Sequence, residues 1–194
     1  MRVFIAVEID EAVRRRAAQL SRALASTLER SGGRKAVAWV APQNLHLTLR
    51  FLGEIDAATV EAVKGRLAAP LETPAFDVGL SGLGTFPPAG PPRVVWLAVS
   101  GGAKGLSDVS VEVDSRLAGL GLPKEERGFH PHLTLGRVKR PVGSRLSEAI
   151  AAAGAADAGR CLVDHVTLFE SRLAPSGATY SVIATSRLGY HHTR

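Results

Sequence analysis

Two short segments of the 194-residue chain combine acid–base side chains with a fixed spacing. The first is Asn44-Leu45-His46-Leu47-Thr48-Leu49-Arg50-Phe51-Leu52-Gly53. The second is Phe129-His130-Pro131-His132-Leu133-Thr134-Leu135-Gly136-Arg137-Val138, and both contain His-Leu-Thr-Leu. In an extended strand, residues two apart share a face. His46 and Thr48 therefore face one way, and Leu45, Leu47 and Leu49 the other. His132 and Thr134 stand likewise opposite Leu133 and Leu135. The leucines anchor each strand to a core and leave an imidazole and a hydroxyl on the open face.

Such a set suits an in-line displacement at phosphorus. One imidazole takes a proton from the nucleophile and the other gives one to the leaving oxygen; histidine serves both roles because its ordinary pKa lies near neutrality. Threonine hydroxyls can donate to the non-bridging phosphoryl oxygens as charge develops there. Arg137 adds a permanent cation with a fork matched to phosphate. Five residues after His132, it has the wrong strand parity to share that face, so it must act from the strand end or from a bend.

A single His-x-Thr would carry almost no signal, since a histidine in a strand is usually a hydrogen-bonded structural residue. Two copies on matching strands carry much more. A metal site is the competing reading, with His130 and His132 on one strand and His46 as a third ligand. No Asp, Glu or Cys cluster lies near either motif at ligand spacing, and Pro131 perturbs the strand, so the expectation is no metal and no cofactor. His165 is read as structural, and His191-His192 as a solvated tail. Cys161, the only cysteine, sits in an apolar run and reads as a small core residue.

The elements that would position these motifs recur in order. Val3–Ile9 reads as a buried strand, and Asp10 as the N-cap of a helix with Val13, Ala17, Leu20, Leu24 and Leu28 at helical spacing, stopped by Ser31-Gly32-Gly33. Leu45–Leu52 is a strand, Asp56 caps a helix bearing Val60, Val63 and Leu67, and Phe76–Leu80 is a third strand. The second half repeats the pattern. It has a strand at Arg93–Val99 and a helix with Leu106, Val109, Val113, Leu117 and Leu120. A strand follows within Phe129–Val138, then a helix opened by Ser144 and a strand at Leu162–Glu170. An extended run, Thr179–Leu188, reached through Ser176-Gly177, closes the chain. The two motifs lie 86 residues apart, so the chain reads as a duplication. Its halves are roughly 1–85 and 86–194, with the Gly/Pro-rich loop Ser81–Pro92 as seam, in one bilobal domain.

A hydrophobic fraction of 45% and a charged fraction of 22% argue against wholesale disorder. The formal charge of +6 and a pI of about 10.1 favour a polyanionic partner such as RNA. The amino terminus does not read as a signal peptide, and no apolar run is long enough for a membrane span. With one cysteine, the expected setting is the cytoplasm; nothing in the sequence suggests an obligate oligomer, so the expected state is a monomer.

The two motifs, with Phe4-Ile5-Ala6-Val7 near the start and Leu168-Phe169-Glu170-Ser171-Arg172-Leu173 near the end, resemble the RNA 2′,3′-cyclic phosphodiesterases. These proteins are also called 2′-5′ RNA ligases and belong to the two-histidine phosphoesterase superfamily. The resemblance covers essentially the whole chain. It implies an α+β fold, a bilobal pseudo-two-fold duplication with two antiparallel sheets lining a central cleft and helices outside. It further implies metal-free opening of an RNA or nucleoside 2′,3′-cyclic phosphate to a 2′-phosphate, with reversible ATP-independent joining as the same chemistry run backwards. By resemblance, His46 is the proton donor to the leaving 3′ oxygen and His132 the proton acceptor that activates water. Thr48, Thr134 and Arg137 are then phosphate contacts. Phe51 and Phe129 flank the motifs and either stack on a terminal base or pack in the core. Two other functions stay open from the residues alone: a non-catalytic module that holds RNA ends, and an esterase for a small cyclic phosphate.

Overall fold

The computed structural model describes residues 1–123, 128–174 and 177–189. Ser176, His191 and His192 thus lie outside the described residues. β1 (Arg2–Glu8) runs into α1 (Glu11–Arg30) through Asp10, whose side chain accepts the Val13 N–H. Val13, Ala17, Leu24 and Leu28 are the buried stripe of α1, which stops at Ser31 before Gly32 at φ 83°. A short β2 (Val37–Trp39) and a 3-10 turn over Pro42–Asn44 lead into β3 (His46–Glu54). The Asp56 side chain accepts the Thr59 N–H to start α2 (Ala57–Leu67), and β4 (Phe76–Phe86) follows. Next come β5 (Val94–Gly101), α3 (Ala103–Arg116), β6 (His132–Val138) and α4 (Arg145–Ala153). β7 (Asp157–Val163), β8 (His165–Ala174) and β9 (Gly177–Arg187) complete the described chain.

The strands are ordered β7-β4-β5-β6-β3-β1-β8-β9, with β2 beside β6, and every named pairing is antiparallel. At the middle, β3 and β6 meet through one residue pair, Leu47 opposite Leu133. The sheet therefore bends there into two four-stranded halves whose innermost strands are the two motif strands. β6-β5-β4-β7 on one side answers β3-β1-β8-β9 on the other. Each side borrows from the other half of the chain: β4 from the first half pairs β5 and β7, and β8 from the second pairs β1. Helices α1 and α4 pack together on the β6–β7 side, while α3 packs on β3, and α2 on α3 and β9. Apolar burial beneath those helices, with Ile5, Leu47, Leu97, Leu133 and Leu135 at its centre, drives the assembly.

Two local expectations need correction, and one strand adds to the reading. Ser81–Phe86 is not loop but the second half of β4. Gly84 is what allows it: a Cβ there would sit 2.3 Å from Trp96, whose ring lies across that position. Leu162–Glu170 is two strands, because the chain turns at Asp164 to leave one side of the sheet for the other. Leu162 itself is exposed on the edge strand β7. β2 went unread because it is only three residues long, and it fits beside β6 because Gly136 has no Cβ to meet Val37 at 2.6 Å.

Candidate active site

The leucines of the two motifs point into the core as expected: Leu45, Leu47, Leu49, Leu133 and Leu135 are all buried. His46, Thr48, His132, Thr134, Arg137 and Phe51 all line one cleft of about 630 Å³ on the opposite face. Leu47 stands opposite Leu133, so His46 and Thr48 flank the junction on β3 as His132 and Thr134 flank it on β6. Each imidazole thus has a hydroxyl two residues along its own strand.

Arg137 reaches this face by a device that periodicity alone does not reveal. In the β5–β6 pairing Trp96 lies opposite Thr134 and Val95 opposite Gly136, so Leu135 is an extra residue. That bulge shifts the alternation by one, and Arg137 turns to the side of His132 and Thr134. β3 does the same thing: Ala6 lies opposite Thr48 and Ile5 opposite Arg50, leaving Leu49 as the extra residue and turning Phe51 into the cleft. Arg50 is consequently core-facing, paired with Asp114 on α3 and donating to the Pro123 carbonyl at 3.2 Å. Phe129 takes no part in the cleft. It packs, half-buried, against the main core.

The two histidines are held alike. His46 Nδ1 donates to the Asn44 carbonyl at 2.7 Å, and His132 Nδ1 to the His130 carbonyl at 2.7 Å. A carbonyl can only accept, so both rings carry hydrogen on Nδ1 and leave Nε2 as the nitrogen able to take up a proton. His46 Nε2 lies 3.0 Å from Thr48 Oγ1. Asn44 is itself fixed by its amide, which donates to the Ala178 carbonyl at 2.6 Å.

Burial lowers the pKa of His46 most; the Arg137 and His132 charges lower it further, while the Asn44 carbonyl and Glu8, opposite His46 in the β1–β3 pairing, oppose the shift. His132 is likewise lowered, first by burial and then by Arg137 and His130, against its own carbonyl partner. Aromatic rings flank each imidazole. Phe4 lies 4.9 Å from His46 and Tyr180 meets it edge-on at 5.4 Å, whereas Phe86 meets His132 edge-on at 5.0 Å. His165 sits apart from the cleft lining, between Asp164 at 2.5 Å and Glu8 at 3.4 Å. Among the described residues no three His, Cys, Asp or Glu side chains gather at metal-binding spacing. Cys161 is buried in β7.

Phe4, Tyr180, Asn44, Arg2 and Lys139 also border the cleft and were not singled out from the sequence. Asn44 had a usable signal, since it stands two residues before His46 as His130 does before His132. Tyr180 had none, because it arrives on β9 from the far end of the chain.

The architecture is that of LigT-type phosphoesterases. Escherichia coli LigT, solved as a complex with 3′-AMP, superposes with a TM-score of 0.69 at 27% identity, covering 96% of this chain and 97% of that one. A Thermus thermophilus crystal structure matches with a TM-score of 0.78 at 29% identity, over 99% of this chain and 100% of the other. More particularly, the chain belongs to the 2′-5′ RNA ligase superfamily, whose sequence profile matches residues 9–174. A Methanocaldococcus jannaschii protein named RNA 2′,3′-cyclic phosphodiesterase is 33% identical over 184 residues, 94% of this chain and 98% of its own. A Methanothermobacter thermautotrophicus protein of the same name is 32% identical over 190 residues, 97% and 99% respectively. Among the described residues no helix is long and apolar enough to cross a membrane.

Proposed function

We propose that the chain hydrolyses RNA or nucleoside 2′,3′-cyclic phosphate ends to 2′-phosphates by metal-independent acid–base catalysis. The observation that carries the reading is the pair of Nδ1-anchored imidazoles on one cleft, each with a threonine beside it. His132, neutral, takes a proton from the attacking water at Nε2. His46, protonated, gives one to the departing 3′ oxygen. Thr48, Thr134 and Arg137 hold the non-bridging oxygens as charge builds. Phe51, 52% exposed at the cleft, offers its face to the terminal base. The two imidazoles supply both proton transfers and the guanidinium supplies the cation, which leaves no step that calls for a Lewis acid.

By microscopic reversibility the same groups can join a cyclic-phosphate end to a 5′-hydroxyl without ATP, with the alcohol in place of water. The relatives' name supports the hydrolytic direction. The test is to incubate the protein with an oligonucleotide ending in 2′,3′-cyclic phosphate, with EDTA present, and to identify the product. A 2′-phosphate formed at an unchanged rate is expected. Loss of turnover on chelation would refute the metal-free step, and a 3′-phosphate would refute the polarity. Binding without turnover, weakening steeply with salt, would turn the protein into an RNA-end binding module.

A further inference from the structure

Beside His132, just outside the residues that line the cleft, stands a second aromatic surface that the hydrolytic reaction does not use. Trp96 on β5 lies directly opposite Thr134 in the sheet, and Phe86 on β4 lies opposite Val94, on the same face. Their ring centroids are 5.0 Å apart at 32°, and both rings are half-buried, not sealed in the core. Trp96 lies across Gly84, where any side chain would collide with it, so the ring is held flat against the sheet. Phe86 stands edge-on to His132 at 5.0 Å, and Trp96 at 6.4 Å. Trp96 Nε1 is buried with no partner. Arg137 and Lys139 border the cleft on this side. An aromatic surface with cations at its margin is the chemistry that binds a nucleoside beside a phosphate.

We infer that Phe86 and Trp96 form a subsite for a second nucleoside, the one whose 5′ oxygen enters or leaves on the His132 side of the phosphorus. The inference rests on the roles proposed above for the two histidines. In-line geometry puts the nucleophile opposite the departing 3′ oxygen. If His46 serves that oxygen, then the His132 side is where a 5′-hydroxyl must come in. In the joining direction the 5′ oxygen attacks phosphorus, its proton passes to His132, and the P–O3′ bond breaks with a proton from His46. Run backwards on a 2′-5′ phosphodiester, the 3′-hydroxyl gives its proton to His46 and attacks. The P–O5′ bond then breaks as His132 protonates the 5′ oxygen, giving a 2′,3′-cyclic end and a free 5′-hydroxyl. Both directions require a nucleoside where Phe86 and Trp96 stand. Water requires none.

The experiment uses the full chain and two substrates, adenosine 2′,3′-cyclic phosphate and 2′-5′-linked diadenosine monophosphate. Trp96→Leu should lower kcat/KM for the linked dinucleotide about tenfold more than for the cyclic mononucleotide, the scale of one lost base stack, and Trp96→Phe should restore most of the ratio. Equal losses on both substrates would overturn the subsite and leave Trp96 as a support for His132. A second measurement avoids substitution: the unaltered protein should cleave the dinucleotide about tenfold faster than an analogue lacking the base on the 5′-linked ribose. Equal rates would also overturn it. A selective loss on a 3′-5′ dinucleotide ending in cyclic phosphate would give the surface to the upstream nucleotide of the same strand instead. Failure of the parent reading is distinguishable, because adenosine 2′,3′-cyclic phosphate would then not be turned over at all.

Discussion

The β3 and β6 motif strands share one scaffold and differ in what they present to the cleft. Each begins with a histidine whose Nδ1 is tied to the carbonyl two residues upstream, continues with a threonine, and then bulges at a buried leucine. The bulge turns the fifth residue after the histidine into the cleft, and there the copies part: Phe51 on β3, Arg137 on β6. Their surroundings differ as well. His46 sits among Phe4, Tyr180 and Thr48, with Glu8 opposite; His132 sits beside Phe86, with Arg137 on its own strand. Matched positions on two similar strands thus present different side chains to one cleft, and on the proposed reading that single difference separates a phosphate side from a base side.

The largest effect should come from the matched histidines. His46→Ala and His132→Ala should each lower the hydrolysis rate by at least about a hundredfold, and the double variant should be little worse than either, as in a pair acting as a unit. Single-turnover kinetics would show this, and additive losses would break the pairing. The fifth-position contrast comes next. Arg137→Ala should cost about a hundredfold on every cyclic phosphate, base or no base, because it removes a cation from the developing charge. Phe51→Ala should cost about tenfold, and only on substrates that carry a base. Comparing a nucleoside cyclic phosphate with an abasic ribose cyclic phosphate separates the two.

The pH profile sharpens the contrast further. Burial lowers both imidazole pKa values below the ordinary 6.5, so kcat/KM should follow a bell whose limbs both lie on the acid side of that value. Bound phosphate stabilises the imidazolium, so the kcat profile should lie at higher pH. The same direction has a stability consequence. The unfolded imidazoles take up protons first, so the contribution is complete above 6.5 and is lost as pH falls below it. Thr48→Val should lower kcat about tenfold and move the limb belonging to His46, whereas Thr134→Val should lower kcat without moving it. The smallest effects concern helix starts in the two halves. Asp10→Ala removes a bond to Val13 N–H and should cost about 1 kcal/mol, whereas Ser144, which makes no side-chain cap bond, should tolerate alanine within about 0.5 kcal/mol in denaturant melts.

The legibility of the molecule follows the same division. Both motifs, the helices with strong apolar stripes and the Asp10 and Asp56 caps could be read because their signals are local. The exchange of β4 and β8 between sides could not, since a strand's partner is not written in its own residues; so Leu162–Glu170 looked like one strand when it is two. Arg137 had the wrong parity until the Leu135 bulge corrected it, and such a bulge is set by pairing with β5. Phe129 was open between two readings, a stack on a base and a place in the core, because closeness in sequence to His132 does not say which way a ring turns; it packs, half-buried, against the core.

The division of proton transfer can be tested by changing the atom that leaves. A nucleoside 2′,3′-cyclic phosphate with sulfur in place of the bridging 3′ oxygen expels a thiolate, which needs no proton. On that substrate His46→Ala should recover to within a few-fold of the unaltered protein, while His132→Ala should keep its deficit of about a hundredfold or more. Rescue of His132→Ala, or no rescue of either, would contradict the assignment of the two imidazoles to opposite sides of one phosphorus.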